Sequence, residues 1–371
     1  MMKKKQFIIW SVVLLCLVIF VFSHNVGKSS ETIIIPSHEE NHIEDQKIHP
    51  FQVKTIYRLP EVDQLLGWSS SNSIIGFFIE KETSERSHLQ QLSYPYEKPK
   101  LLKKIESNNN KLKMSPDGKS IIEENSTSLK LISLTNEKKI EIASYSSNQQ
   151  YFGEISWSNN SRYVCFLVIN TKNNKANVNV FDTDSKTLKT YPLKGFGSMD
   201  TFTKVNISDN GRGLLLMIPT NQSGQQYSMM MGTISNKGFN IQYQRQISHG
   251  EPVWLNNDQL VFLGNGETLY EYDRRNKELS VLREKVAFFK FSNDRKKIAY
   301  SLYDKDSIYA GKLQGKNILF EEPIYHGTIP EEIYWSPDSN NLLFYGQKQY
   351  SAAETSPAGF YNNQAYIITF K

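Results

Sequence analysis

The segment Trp335–Phe344 spells Trp-Ser-Pro-Asp-Ser-Asn-Asn-Leu-Leu-Phe, and this short pattern is the clearest indication of the fold. It joins an aromatic residue to a polar turn and then to residues that favour β-strands. Proline fixes φ at about −65°, and Asp and Asn hydrogen-bond to nearby backbone or adopt positive φ. The segment therefore predicts two antiparallel strands connected by a tight turn.

The same pattern occurs seven times along the chain. The residue that follows the motif aromatic position is, in order, Ser69, Ser115, Ser158, Ser208, Leu255, Ser292 and Ser336. Successive copies are 46, 43, 50, 47, 37 and 44 residues apart, and four of the five Trp residues occupy the same place in the motif. A propeller blade of four short strands takes ~40–50 residues.

The repeat predicts an all-β chain folded as a β-propeller of seven blades, each with four antiparallel strands; six blades is the alternative if the first or fourth copy is irregular. The last repeat ends before its fourth strand, whereas residues 51–59 form one strand too many at the start. We expect 51–59 to pair with Gln364–Phe370, because this closes the ring and removes an exposed sheet edge.

The first residues predict an N-terminal hydrophobic helix that serves as a signal anchor, residues 1–23. Three lysines precede Phe7–Phe22, sixteen residues without a charge. A bilayer span needs about 20 apolar residues, and basic residues stay on the cytoplasmic side. Cleavage after Ser23 and lipidation of Cys16 are the alternatives. All three place the propeller, 51–371, outside the cytoplasmic membrane, after a polar linker over 24–50.

Composition excludes several classes of protein. The 371 residues carry a formal charge of +5 without a dense Lys/Arg stripe, so we expect no nucleic-acid partner. Two Cys rule out a disulfide scaffold and a Cys-rich zinc module. The segment His38–His42 matches the zinc-protease signature, but its acidic, linker-like surroundings favour a solvated segment. No cofactor, metal ion or catalytic residue is predicted.

The segments Trp335–Phe344 and Ser115–Ile122 resemble the TolB-type, WD40-like propeller repeat, over about 320 residues of the chain. The membrane-proximal start and the degenerate repeats are similar to those of YqgU-like membrane-associated propellers of low-GC Gram-positive bacteria. Residues around Cys16 depart from the lipid-attachment pattern of that family. The resemblance implies a propeller that binds proteins or small ligands, and it implies no particular reaction.

A candidate binding site follows from the residues that lead into the motif. Glu recurs three residues before the motif aromatic, and two His-Gly pairs occupy the same connections. We expect these side chains to surround one mouth of the central channel: Glu154, His249, Glu251, His326 and Glu332. The alternative interpretation is a water-filled channel lining in which Lys111 and Lys204 pair with the carboxylates.

The sequence thus predicts a membrane-tethered, extracytoplasmic propeller. It acts as a non-catalytic binding module for a protein or a cell-envelope component. The alternative is a metal-assisted hydrolase or lactonase with its site at the channel mouth.

Overall fold

The computed structural model describes residues 32–34, 49–79, 88–104, 111–145, 149–196, 202, 204–220, 226–248, 250–303, 305–349 and 361–371. Within them the chain is all-β and forms a propeller of seven blades, each with four antiparallel strands. The prediction of seven blades is confirmed and the six-blade alternative is wrong. The expected N-terminal helix and the segment His38–His42 lie outside the described residues.

The strands run outward through each blade, from an innermost first strand to an outermost fourth strand. A short strand β1 (Thr32–Ile34) and the strand β2 (Val53–Arg58) precede the first complete blade. Blade 1 contains β3 (Val62–Ser70), β4 (Ser73–Phe78), β5 (His88–Ser93) and β6 (Lys100–Lys104). Blade 2 contains β7 (Lys111–Met114), β8 (Ser120–Glu124), β9 (Ser128–Ser133) and β10 (Lys139–Ser144). Blade 3 contains β11 (Gln150–Trp157), β12 (Tyr163–Asn170), β13 (Lys175–Asp182) and β14 (Thr187–Pro192).

The remaining blades follow the same order. Blade 4 contains β15 (Lys204–Ile207), β16 (Gly213–Pro219), β17 (Tyr227–Ser235) and β18 (Gly238–Ile247). Blade 5 contains β19 (Val253–Trp254), β20 (Gln259–Leu263), β21 (Leu269–Asp273) and β22 (Glu278–Arg283). Blade 6 contains β23 (Val286–Phe291), β24 (Lys297–Leu302), β25 (Ser307–Gln314) and β26 (Asn317–His326). Blade 7 contains β27 (Ile329–Trp335), β28 (Asn341–Gln349) and β29 (Tyr361–Phe370), with β2 as its fourth strand.

Blade 7 joins the two ends of the described chain. Strand β2 pairs antiparallel with β29, so that Val53 lies opposite Phe370 and Arg58 opposite Tyr366. Phe51, with 1% of its surface exposed, packs its ring against Trp335 and Phe370. Strand β1 adds a fifth strand beyond β2, within the segment expected to be a polar linker.

The core is divided among the interfaces between blades. The described residues form seven buried apolar clusters, and each cluster combines side chains from two neighbouring blades. Strand β12 shows why the second strand of each blade is almost wholly apolar. Val164 and Phe166 pack toward blade 2, whereas Cys165 and Leu167 pack toward blade 4. Since both faces of this strand are buried, the alternation expected of a half-exposed strand is absent.

The motif Trp residues link neighbouring blades by hydrogen bonds. In each case the indole N–H donates to a backbone carbonyl in the first strand of the preceding blade. The acceptor is always the residue just before that blade's own motif aromatic position. The four pairs are Trp68 to Tyr334 at 3.1 Å, Trp157 to Lys113 at 3.2 Å, Trp254 to Asn206 at 3.4 Å and Trp335 to Lys290 at 3.1 Å.

The turns after the first strands are built alike and contact each other around the ring. In five of them a Ser hydroxyl donates to an Asp or Asn side chain two residues later, at 2.6–2.8 Å. The fourth turn residue has positive φ, between 60° and 74°. Gly118 needs to be glycine there, since a Cβ atom would lie 2.2 Å from the Trp68 carbonyl oxygen of blade 1.

We expect Trp335→Phe to destabilise the fold by about 1–2 kcal/mol, because the Lys290 carbonyl loses its donor while an aromatic ring still fills most of the space. Trp335→Ala should cost about 3–5 kcal/mol through the added cavity. Urea unfolding followed by circular dichroism measures both. Phe320→Leu, at an exposed aromatic on an outermost strand, is the control and should change stability by less than about 0.5 kcal/mol. Equal stability of Trp335→Phe and the parent would contradict the role given to the hydrogen bond.

Candidate functional site

The two faces of the ring differ, and the motif turns define one of them. The turn face is the side on which the first strands end. There, Asn159 Nδ2 donates to the Asn293 carbonyl at 2.7 Å, and Asn293 Nδ2 donates to the Pro116 carbonyl at 2.9 Å. Blades 3 and 6 are not neighbours, and neither are blades 6 and 2, so these bonds cross the axis. The central channel is therefore narrowed by polar contacts at the turn face.

Turns of neighbouring blades are also hydrogen-bonded to each other. Asn160 N donates to Asp209 Oδ1 at 2.8 Å, and Asn210 N donates to Asn257 Oδ1 at 3.0 Å. Asp117 N donates to Ser161 Oγ at 2.9 Å. These contacts use up polar groups that would otherwise be available to a ligand. The opposite side, which we call the loop face, is where each first strand begins.

Side chains one residue before the motif aromatic position extend toward the next blade at the centre of the ring. Lys113 Nζ donates to the Ile155 carbonyl of blade 3 at 2.7 Å. Asn206 Nδ2 donates to the Pro252 carbonyl of blade 5 at 2.8 Å. The Tyr334 ring lies beside Gly67 of blade 1, where an added Cβ would be 3.4 Å from it. We call this place in each first strand the lining position.

Glu251 is surrounded by cations from three other blades. Burial alone would raise the pKa of its carboxyl group, but the charges of Lys113, Lys290 and Lys204 act in the opposite direction. Asn206 Nδ2 also donates to Glu251 Oε1, at 3.3 Å. The pKa of Glu251 consequently lies below its usual value. Its carboxylate is ionised at neutral pH and balances part of the positive charge.

Lys290 lies within electrostatic reach of both central carboxylates, Glu251 and Glu332. Burial lowers the pKa of its ammonium group, while the charges of Glu251 and Glu332 oppose that shift. Glu332 accepts a hydrogen bond from the Tyr334 hydroxyl at 2.8 Å. Burial raises the pKa of Glu332 despite that bond and despite Lys290. Burial also raises the pKa of the Tyr334 phenol, so this hydroxyl is a donor throughout the neutral range.

Arg295 adds a cation from the turn side. It holds the positive-φ place in the motif turn of blade 6, with φ of 60°. Burial lowers the pKa of its guanidinium to about 10, while Asp209 and Glu251 act against the shift. Its Nε is buried and has no hydrogen-bond partner. The central constellation is thus Lys113, Lys204, Lys290 and Arg295 with Glu251 and Glu332.

The structure places the five predicted site residues in different surroundings. Glu251 and Glu332 both lie within the electrostatic reach of Lys290. Glu154 is half-buried. Burial raises the pKa of the nearby Glu124, and the charge of Glu154 adds to that shift. Glu124 itself pairs with Lys111 at 3.6 Å. His326 ends the outermost strand β26, where its Nδ1 is 2.7 Å from Ser307 Oγ. His249 lies outside the described residues.

Sequence reasoning missed the lining position itself. Lys113, Asn206, Lys290 and Tyr334 all occupy it, and none was selected as a site residue. Strand periodicity was the available signal, because residues two apart on a strand share a face. A Glu three residues before the aromatic therefore lies on the same side as the residue one before it. No sequence pattern predicts that the Arg295 side chain lies near the centre, because its position follows from the conformation of the turn.

The described part of the chain contains neither a cluster of metal-binding side chains nor a helix that could span a membrane. No group of three or more His, Cys, Asp or Glu side chains is placed to hold a metal ion there. No helix in that part has the length and apolarity to cross a bilayer. A separate depression of about 510 Å³ lies between blades 5 and 6, lined by residues 281–285, Leu302 and Lys305.

Comparison with known proteins supports the architecture alone. No family model matches the sequence, and no curated protein matches it. Two solved oligogalacturonate lyases, one in complex with manganese and one from Vibrio parahaemolyticus, are 10% and 11% identical, with TM-scores of 0.54 and 0.55. In each case the alignment covers 92% of this chain and 98% of the other. A chain in a crystal structure of the mitotic checkpoint complex is 10% identical with a TM-score of 0.54, over 94% of this chain and 100% of that one. These likenesses show a shared propeller fold.

We expect Glu251→Gln to lower stability at pH 7 by about 1–3 kcal/mol, because three lysines lose their common carboxylate. The folded-state pKa of Glu251 is depressed, so its contribution is present above the unfolded-state pKa and is lost as the pH falls through the folded value. The stability difference between the variant and the parent should therefore shrink as the pH is lowered from 7 toward 3. Chemical denaturation at a series of pH values measures it. Glu284→Gln, at an exposed site, serves as the control; a pH-independent difference for Glu251→Gln would contradict the assignment.

Proposed function

We propose that this chain is a membrane-tethered, extracytoplasmic propeller that binds a protein or a cell-envelope component without catalysing a reaction. The loop face is the recognition surface. The TolB-type, YqgU-like relationship is part of the same proposal, and it is supported by the motif segments Trp335–Phe344 and Ser115–Ile122.

The distribution of exposed apolar side chains is the observation that carries the proposal. Twelve large apolar residues are exposed in the described chain, and seven of them lie on outermost strands. Of the other five, Tyr94 lies beyond a third strand, on the side of the turn face. The remaining four follow a second strand or begin a first strand, which places them at the loop face: Ile79, Tyr151, Tyr303 and Ile329.

Exposed apolar groups on one face favour contact with a macromolecule. Tyr303 and Ile329 are 63% and 52% exposed; Tyr303 follows the second strand of blade 6, and Ile329 begins the first strand of blade 7. Polar groups on the turn face are instead engaged with each other across and around the ring. A rigid scaffold that presents its connections on one side is the usual arrangement of a binding module.

Photocrosslinking tests the recognition face on intact bacterial cells that produce the full chain. We expect p-benzoylphenylalanine in place of Tyr303 or Ile329 to give covalent adducts with a partner. The same group in place of Phe320, which is 44% exposed on the outermost strand of blade 6, should give none. Mass spectrometry of the adducts identifies the partner. Adducts from Phe320 at equal yield would overturn the choice of face, and absence of adducts from all positions would overturn the binding function.

Membrane tethering has a separate test. We expect the full chain to remain in the membrane pellet after extraction at alkaline pH, and the chain that lacks residues 1–23 to be in the soluble fraction, because only Phe7–Phe22 is apolar enough to be retained by lipid. External protease should digest the full chain on protoplasts. Recovery of the full chain in the soluble fraction would contradict the tether, and protection from external protease would contradict the extracytoplasmic location.

A further inference from the structure

The cations at the centre of the ring are not paired one to one with carboxylates. None of the ammonium groups of Lys113, Lys204 and Lys290 lies within 4.0 Å of a Glu251 carboxylate oxygen, although the charges of all three lower the pKa of Glu251. Lys204 and Lys290 form no side-chain hydrogen bond or ion pair with any residue that the structure describes. Burying a charged ammonium group without a hydrogen-bond partner costs free energy of folding.

The positive charges also repel each other. Lys113 and Arg295 both lower the pKa of Lys290, in addition to the larger effect of burial. Four cations stand near the axis, whereas the carboxylates that act on them are Glu251, Glu332 and Asp209. Asp209 already accepts a hydrogen bond from the Asn160 backbone N–H, and Glu332 accepts one from the Tyr334 hydroxyl. The centre therefore keeps an excess of positive charge with open donor capacity.

Arg295 supplies the strongest sign of a missing partner. Its side chain donates no hydrogen bond to any described residue, and its Nε is shut off from solvent. A guanidinium group has five N–H donors in a fixed plane that suits carboxylate and phosphate oxygens. Because the turn face is narrowed by the bonds of Asn159 and Asn293, a group that meets Arg295 would enter from the loop face.

We propose that the centre of the ring binds a small oxyanion, a carboxylate or phosphate group, held by Lys204, Lys290 and Arg295 beside Glu251. This inference rests on the proposed binding function and names the chemistry of its central ligand. Lys113, already hydrogen-bonded to the Ile155 carbonyl, adds charge from the side. Glu251 and Glu332 separate the cations and accept hydrogen bonds from hydroxyl groups of the same ligand.

The test is a thermal-unfolding titration of the full chain in detergent, with inorganic phosphate or citrate as the probe. Concentrations stay below about 10 mM, where general salting effects on stability are small, and sodium chloride keeps the ionic strength constant. We expect a saturable rise in unfolding temperature with at least one probe. A response to phosphate alone identifies a phosphate site, and a response to citrate alone identifies a carboxylate site.

Two variants with a matched control locate the anion. Lys204→Met and Lys290→Met keep the length of the side chain and remove the charge, and each should weaken binding about tenfold or more. Lys296→Met, at an exposed lysine of the blade 6 turn, should leave binding unchanged. Without added oxyanion, Lys290→Met should be at least as stable as the parent, because the charged form of Lys290 is disfavoured in the fold.

Three results would overturn the proposal. The first is no saturable response to either probe, and the second is a response in Lys204→Met and Lys290→Met equal to that of the parent. The third is a loss of binding in Lys296→Met equal to the loss in those two variants. A clear loss of stability in Lys290→Met without oxyanion would show instead that Lys290 serves as the counter-ion of Glu251. The crosslinking from Tyr303 and Ile329 is measured independently. Adducts at those positions without an anion response leave the binding function intact and reject only this ligand.

Discussion

The hydrogen bond from each motif Trp to the preceding blade is the contact on which the ring depends. A propeller blade is a small twisted sheet, and neighbouring sheets could slide on purely apolar contacts because dispersion has no directional preference. An indole N–H directed at one carbonyl fixes how far the first strands stand apart at the centre. Four of seven interfaces carry this bond, at 3.1–3.4 Å. In the other three interfaces the motif position is occupied by Met114, Ile207 or Phe291, which pack in the apolar clusters between blades and have no indole N–H to donate.

That contact also sets the position of the charged centre. The carbonyl that accepts the indole hydrogen bond belongs to the residue at the lining position. The bond therefore fixes the backbone from which four side chains extend inward: Lys113, Asn206, Lys290 and Tyr334. Polar side chains that converge on an axis repel each other where their charges are alike, and they attract or hydrogen-bond to each other where their groups are complementary. The fold brings together residues that are far apart in sequence, and the arrangement leaves Lys204, Lys290 and Arg295 without partners among the described residues. The hydrogen bonds that join the blades thereby also position the residues of a candidate binding site.

Sequence reasoning predicted the architecture well because its signals are local and repeated. Copies such as Trp335–Phe344 carry turn chemistry, strand propensity and a burial pattern that agree with one another. The extra strand before Val62 and the incomplete last repeat also predicted how the ring closes. The charged centre was predicted only in part. Glu251 and Glu332 were found from their spacing, but Arg295 reaches the axis through a turn with positive φ, and no periodicity reveals that.

Ring closure has a consequence for vectorial synthesis. Val53–Arg58 is the first strand of the seven four-stranded blades to be made, and its partner Tyr361–Phe370 is the last; Arg58 and Gln364, which share a hydrogen bond, are separated by 306 residues. The edge of β2 that faces β29 therefore stays unpaired while six blades form after it, and it could meanwhile pair with a strand of another chain. Lys54 and Arg58, both exposed to solvent on that strand, are suited to keep it soluble and apart from other chains until the carboxyl-terminal segment arrives.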